Sequence, residues 1–187
     1  MKRPRLKSYL ITDPAYYGSD IPTFTSNLTS ILEKNDIDFA LYRDKENPDY
    51  STFAKIFVLT CKQKNVSALL HREFGLAHEL GAFGVHLTSL QFEEIKEAKK
   101  LGLFVVISTH TPEEIEEAAR LGADAVTYSP VFSTPNKGIP KGLAHLKEIV
   151  GKINTKIIAL GGITTDEQVE AVQSCGVFAY ASIRKFI

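Results

Sequence analysis

Eight β-rich runs alternate with seven helix-periodic stretches along this chain, and that alternation limits the fold more than any other property of the sequence. The β-rich runs fall at residues 8–13, 39–44, 67–71, 84–88, 104–109, 125–129, 156–161 and 177–182. The helix-periodic stretches fall at residues 23–33, 50–64, 73–80, 91–101, 112–121, 143–150 and 165–174. Strands separated by helical crossovers pair in parallel. The helix-to-strand joints also repeat. Leu80-Gly81-Ala82-Phe83-Gly84-Val85, Leu121-Gly122-Ala123-Asp124-Ala125-Val126 and Cys175-Gly176-Val177-Phe178-Ala179-Tyr180 each put a glycine where a helix closes in a left-handed cap. Lys100-Leu101-Gly102-Leu103-Phe104 is a fourth joint of this kind. Eight such units predict a (β/α)8 barrel ahead of an open doubly wound sheet. The units are short for that fold and the chain stops just after the eighth strand, so the eighth helix is expected to be short or missing. No linker or low-complexity run interrupts the chain, and residues 1–187 read as one compact domain.

Composition narrows the partners. Lys plus Arg and Asp plus Glu number 22 each, so the formal net charge is zero and nothing argues for a nucleic-acid-binding field. The basic start (Lys2, Arg3, Arg5, Lys7) is short and leads into the first strand. No apolar segment suits a membrane span or the core of a signal peptide. Cys61 and Cys175 stand alone, which fits a reduced, cytoplasmic setting with both thiols as small packing groups. A missing eighth helix leaves a barrel face that a partner would cover if it is apolar, and a homodimer is the candidate assembly.

In a barrel of this kind the strands deliver their chemistry at their C-terminal ends. Those ends carry Thr12 and Asp13, then Arg43, Asp44 and Lys45, then His71 and Arg72, then His86 and Thr88. Ser108, Thr109 and His110 follow on the fifth unit, Ser129, Thr134 and Lys137 on the sixth, Gly161 and Gly162 on the seventh, and Ser182 and Arg184 on the eighth. The opposite rim is mostly Gly, Ala and Phe, with Asp124 the exception. The Gly161-Gly162 turn lets backbone approach a ligand closely and opens a helix whose free N–H groups suit an anion. Phosphate sites in this fold use the seventh and eighth loops, so Gly161, Gly162 and Ser182 form a candidate phosphate cradle. Arg43, Lys45 and Lys137 add positive charge to the same rim, and the Pro130–Pro140 loop carrying Thr134 and Lys137 is long enough to close over a ligand.

Three histidines, His71, His86 and His110, end consecutive strands. Three imidazoles suit zinc with an open fourth position, whereas a lumen histidine bonded to its neighbours is the plainer reading of His86. His110 has the best claim to proton transfer, because an imidazole titrates near neutrality. His78 lies mid-helix and His145 early in a helix, both read as structural or exposed.

These residues resemble the thiamine phosphate synthase and thiazole tautomerase (TenI-like) superfamily. The likeness runs through Tyr9-Leu10-Ile11-Thr12-Asp13, Tyr42-Arg43-Asp44-Lys45, Leu80-Gly81-Ala82-Phe83-Gly84-Val85-His86-Leu87 and Ser108-Thr109-His110-Thr111. It continues through Pro130-Val131-Phe132-Ser133-Thr134-Pro135-Asn136-Lys137-Gly138, Lys141-Gly142-Leu143 and Ala159-Leu160-Gly161-Gly162-Ile163. The resemblance implies a barrel that acts on a thiazole phosphate in thiamine biosynthesis. It implies that Gly161, Gly162 and Ser182 hold the phosphate, while Arg43, Lys45, Thr134 and Lys137 face a second anionic group; His71 is a further candidate substrate contact.

The departures separate two activities. A synthase of this family joins a pyrimidine diphosphate to the thiazole phosphate. It carries Asn-Asp-Arg after strand three and another Asp shortly after strand four, both aspartates binding Mg²⁺. Here the first place reads His71-Arg72-Glu73 and the second Thr88-Ser89-Leu90-Gln91-Phe92. The glutamine that synthases place two residues before the strand-two arginine is Leu41. The tautomerase branch uses neither diphosphate nor metal, and a histidine at the place of His110 moves the proton. The first expectation is therefore a thiazole tautomerase working through His110 without a cofactor. The alternatives are a divergent synthase, which would need Mg²⁺, and a silent phosphate-ligand binder or regulator.

Overall fold

The computed structural model describes residues 5–135 and 137–187; Lys2, Arg3 and Asn136 lie outside the described residues. Eight parallel strands close into a barrel in sequence order, each paired with its neighbours and the last paired with the first. They are β1 (Lys7–Ile11), β2 (Phe39–Tyr42), β3 (Ser67–His71), β4 (Gly84–Leu87), β5 (Phe104–Thr109), β6 (Ala125–Tyr128), β7 (Ile157–Leu160) and β8 (Ala179–Ser182). Helices α1 (Pro14–Tyr17), α2 (Ile21–Lys34), α3 (Tyr50–Gln63), α4 (Phe74–Glu79), α5 (Ile95–Lys100), α6 (Pro112–Leu121), α7 (Gly142–Lys152) and α8 (Asp166–Ser174) lie along the chain between them. Two helices precede β2, and among the described residues no α-helix follows β8. A 3-10 turn, Arg184–Phe186, takes that place, and Phe186 stacks on Tyr180 while its carbonyl accepts from the Asn35 side chain at 3.2 Å.

Local chemistry starts and stops these helices. Thr111 caps α6 by accepting from the Glu114 N–H, Pro112 occupies the first turn, and Gly122 closes the helix in the left-handed region at φ 95°. Thr165 and Gln168 form a reciprocal capping box on α8. The short α1 is absent from the sequence expectation. Asp13, read there as a rim residue, instead accepts from the Ala15 N–H and caps it.

Strand alternation sorts the apolar residues into two cores. Leu10, Ala40, Tyr42, Leu70, Val85, Ile107 and Val126 face the helices. Tyr9, Ile11, Phe39, Leu41, Leu69, Val106, Ala125, Ile158, Ala179 and Ala181 fill the lumen. At the N-terminal end Phe39, Phe104 and Phe178 close the barrel: Phe39 stacks on Phe104 at 6.0 Å, and Lys7 and Lys156 lie over the rings. Asp124 on that rim takes the Val105 N–H at 2.7 Å and the Lys99 ammonium at 2.7 Å, tying β5 to the strand after it. Among the described residues the lumen is therefore closed at this end and opens at the strands' C-terminal ends.

Candidate active site

A cavity of about 340 Å³ occupies that open end. All nine residues singled out from the sequence line it: Arg43, Lys45, His71, His110, Thr134, Lys137, Gly161, Gly162 and Ser182. Period-two alternation explains several of these placements. Leu41 and Val106 point into the lumen, so Arg43 continues the inward row of β2, and Ser108 and His110 continue that of β5. Ser108 and Arg184, named among the strand-end residues, also line the cavity.

The three histidines have different surroundings. His71 and His86 are register partners on β3 and β4 and are buried. His86 bridges the barrel: Nδ1 is 3.0 Å from the Tyr9 hydroxyl and Nε2 is 3.1 Å from Ser108 Oγ. Either tautomer satisfies both bonds, because each hydroxyl can donate or accept. Burial, then the charges of His71 and Arg43, push the His86 imidazole down to about 3, so it is neutral at pH 7. Both His86 nitrogens are thus engaged with hydroxyls of the barrel, which fits the reading of a lumen histidine bonded to its neighbours. Among the described residues no group of three or more His, Cys, Asp or Glu side chains could hold a metal ion. His71 is 8% exposed and neither of its ring nitrogens has a partner. Burial, then Arg43, Lys45 and Arg72, lower it to about 4. His110 is the solvent-exposed imidazole of the three, one residue beyond β5 and one before the Thr111 cap.

The glycine pair has a more specific use than the sequence suggested. A Cβ on Gly161 would sit 2.7 Å from Pro130 Cα, and one on Gly162 would sit 2.5 Å from the Ser133 carbonyl oxygen. Both residues have positive φ, 103° and 69°. The close approach they permit is therefore to the loop after β6. That loop runs beside β7, with the Val131 N–H donating to the Leu160 carbonyl at 2.9 Å and the Phe132 N–H to the Gly161 carbonyl at 3.0 Å. Its far end returns through Lys141 N–H to the Pro130 carbonyl at 2.9 Å. The loop's base is pinned at both ends, and Thr134 and Lys137 hang over the cavity from it. Ser182 also differs from expectation. Ala179 and Ala181 face the lumen, so Ser182 has the opposite parity, and its hydroxyl donates to the Ile163 carbonyl at 2.6 Å. Its proton is spent joining the seventh loop to the eighth and is not free for an anion.

Arg43, Lys45, Lys137 and Arg184 all line the cavity, and no Asp or Glu does. None of the four has an ion-pair partner among the described residues. Arg43, burial, Lys137 and Arg72 together lower the pKa of Lys45, the result of crowding like charges. The cavity lining therefore carries positive charge with no carboxylate to offset it.

The Mg²⁺ of the synthase reaction does not fit the side chains here. Mg²⁺ is held by one or two carboxylates together with phosphate oxygens. Arg72, at the first expected place, brings a positive charge. Gln91, in the second, spends its carbonyl oxygen on the Thr88 N–H and hydroxyl, each at 3.0 Å, and its amide donates to Glu94 and to the Arg72 carbonyl. Asp44 and Glu73 line an adjoining cavity that shares Lys45 and His71, but Arg72 stands among them.

Comparison with known proteins agrees with this architecture. The family model described as thiamine monophosphate synthase (TMP-TENI) matches residues 8–186. A protein from Aquifex aeolicus named "Putative thiamine-phosphate synthase 2" is 34% identical, with all of both chains covered. The thiamine-phosphate synthase of Pelotomaculum thermopropionicum is 29% identical, covering 78% of this chain and 70% of that one. Among solved structures, a thiamine phosphate pyrophosphorylase from Pyrococcus furiosus superposes with a TM-score of 0.80 at 26% identity, over 95% of this chain and 85% of the other. A family match over nearly the whole length, a relative aligned end to end and a barrel of the same shape make this chain a member of the thiamine monophosphate synthase family.

Proposed function

We propose that the chain is an isomerase of thiamine biosynthesis that moves a proton on a thiazole carboxylate phosphate. The observation that carries this reading is a cavity lined by three imidazoles and four cations, with no carboxylate. The phosphate sits at the Gly161-Gly162 end, where backbone N–H groups and Arg184 meet it. Arg43, Lys45 and Lys137 meet the ring carboxylate and stabilise the charge that spreads onto it when a ring proton leaves. His110 takes that proton and returns one to the position that completes the aromatic ring. It is the exposed histidine, so it can exchange protons with water, whereas His71 and His86 stay neutral. His86 orients the Ser108 hydroxyl at the cavity wall. No divalent metal enters these steps.

The names of the relatives favour a different reaction, the condensation that gives a thiamine-phosphate synthase its name. That reading needs a metal, and its two expected carboxylate positions hold Arg72 and Gln91. One assay separates the two. The protein is incubated with thiazole carboxylate phosphate isomers, and separately with thiazole phosphate plus the pyrimidine diphosphate, each with Mg²⁺ and with EDTA. Isomerisation that persists in EDTA and is lost in His110→Asn supports the proposal. Mg²⁺-dependent pyrophosphate release would overturn it in favour of the synthase.

A further inference from the structure

At the floor of the cavity, side chains from three strands form one hydrogen-bonded row, and burial fixes the direction of its bonds. Tyr9 at the inner end has no exposed surface. Its ring meets Phe39 edge-on at 6.2 Å and stacks on His86 at 5.8 Å, an arrangement that holds the phenol against the imidazole. Among the described residues the Tyr9 hydroxyl has one hydrogen-bond partner, His86 Nδ1 at 3.0 Å. The other ring nitrogen, Nε2, meets Ser108 Oγ at 3.1 Å. Ser108 is the outer end of the row; it is partly exposed and lines the cavity.

Both tautomers of a neutral His86 keep these two bonds, but they leave the hydroxyl protons in different places. With the proton on Nδ1, the imidazole donates to Tyr9, and the Tyr9 proton is stranded in the core without an acceptor. With the proton on Nε2, Tyr9 donates to Nδ1 and the imidazole donates to Ser108. The Ser108 proton then faces the cavity, where water or a ligand accepts it. A buried donor without a partner costs the full desolvation of that group, and a donor at the cavity surface avoids that cost. The second arrangement is therefore the stable one. A protonated His86 would strand the Tyr9 proton as well, and burial holds this imidazole neutral. The Thr127 hydroxyl, on the register partner of Ser108 in β6, makes no hydrogen bond, so it does not draw the Ser108 proton aside.

We propose that Tyr9 and His86 are positioning residues that hold the Ser108 hydroxyl as a hydrogen-bond donor to the ligand, so that the cavity floor selects a ring with an acceptor atom at its edge. Ser108 and His110 stand two residues apart on the inward row of β5, about 7 Å along the strand, so one five-membered ring can touch both. The direction of the row rests on burial alone. The identity of the acceptor rests on the proposed function, where it is the ring nitrogen of the thiazole phosphate.

Two measurements test this. The first needs no ligand: nitrogen NMR of protein labelled with ¹⁵N in its histidines, with the His86 signals identified by their change in Ser108→Ala. Nδ1 should be unprotonated and Nε2 protonated, with no change between about pH 5 and 8, the range in which an unperturbed imidazole titrates. A proton on Nδ1, or shifts averaged between the tautomers, would overturn the proposal. The second is calorimetric titration with thiazole phosphate and with its thiophene isostere, in which C–H replaces the ring nitrogen. Wild type should bind the thiazole roughly threefold to tenfold more tightly, the worth of one hydrogen bond. Ser108→Ala should bind both ligands alike, whereas Ser108→Thr, which keeps the hydroxyl, should keep the preference. Tyr9→Phe should lose most of the preference while binding the isostere as wild type does, a pattern that a merely structural role for Tyr9 would not produce. If Tyr9→Phe fails to fold by circular dichroism, the wild-type spectrum and Ser108→Ala decide. Equal affinity of wild type for the two ligands, or a preference that survives in Ser108→Ala or Tyr9→Phe, would overturn the proposal. A protein that shows the preference but isomerises nothing would leave this inference standing and remove only the proposed reaction; isomerisation without the preference would do the reverse.

Discussion

Replacing Gly162 with alanine tests the reason the glycine pair is there. At φ 69° a Cβ meets the backbone in the left-handed region, at a cost of about 1–2 kcal/mol. The added methyl would also lie 2.5 Å from the Ser133 carbonyl oxygen, 2.8 Å from Phe132 Cβ and 3.0 Å from the Phe132 carbonyl carbon. Two of those three atoms are backbone, so the β6 loop must move as a unit, and overpacking of this kind costs about 1–3 kcal/mol. The sum is roughly 2–5 kcal/mol. Gly122 is the control. It has φ 95°, but a Cβ there meets nothing within 4 Å, so Gly122→Ala carries the conformational cost alone. The assay is urea unfolding of wild type and both variants, read by far-ultraviolet circular dichroism and compared at equal slope. Gly162→Ala should lose about 1–3 kcal/mol more than Gly122→Ala. Equal losses would refute the docking argument and return the glycine to a simple turn.

Other outcomes follow from the same geometry. His110→Asn should lower isomerisation by about 10²–10⁴-fold, the usual share of a general acid–base group, while thiazole phosphate binding measured by calorimetry stays within a few fold. Ser182→Ala removes the donor to the Ile163 carbonyl and should cost roughly 1–3 kcal/mol in urea unfolding, because that acceptor is left unpaired in a buried place. The folded state holds His71 near 4 and His86 near 3, both below the unfolded value of about 6.5, so the unfolded chain binds more protons between those limits. The contribution of these two histidines should be flat above about pH 6.5 and should fall as pH drops from there towards 4. His71→Asn should reduce that slope, and an unchanged slope across pH 7 to 4 in the unfolding midpoints would exclude His71 as a contributor.

Much of the barrel could be read from the residues because each unit is locally consistent. Thr111-Pro112 opens α6 and Leu121-Gly122 closes it, and the observed helix has those bounds. Strand β3 and strand β5 likewise match the expected runs. Helix α1 escaped notice because four residues offer no period to detect; only Asp13-Pro14 signals it. At the site, alternation along one strand was enough to bring Arg43, Ser108 and His110 to the cavity. Cross-strand facts were not legible. That His86 spans Tyr9 and Ser108 depends on residues 77 and 22 positions away in the chain. That Gly162 meets Ser133 depends on how the β6 loop lies against β7. For Ser182, too, a cross-strand fact decides: its parity, not its position at a strand end, sets what its hydroxyl reaches.

The aromatic plug of Phe39, Phe104 and Phe178 has a kinetic consequence. With the lower end shut, arriving substrate and departing product share one opening, and that opening is ringed by Arg43, Lys45 and Lys137. Charges that speed the capture of an anion also hold back the anion that leaves. Raising ionic strength should therefore lower kcat/KM, and where release limits turnover it should raise kcat. The two constants would move in opposite directions with salt, the behaviour of a vessel with a single charged mouth.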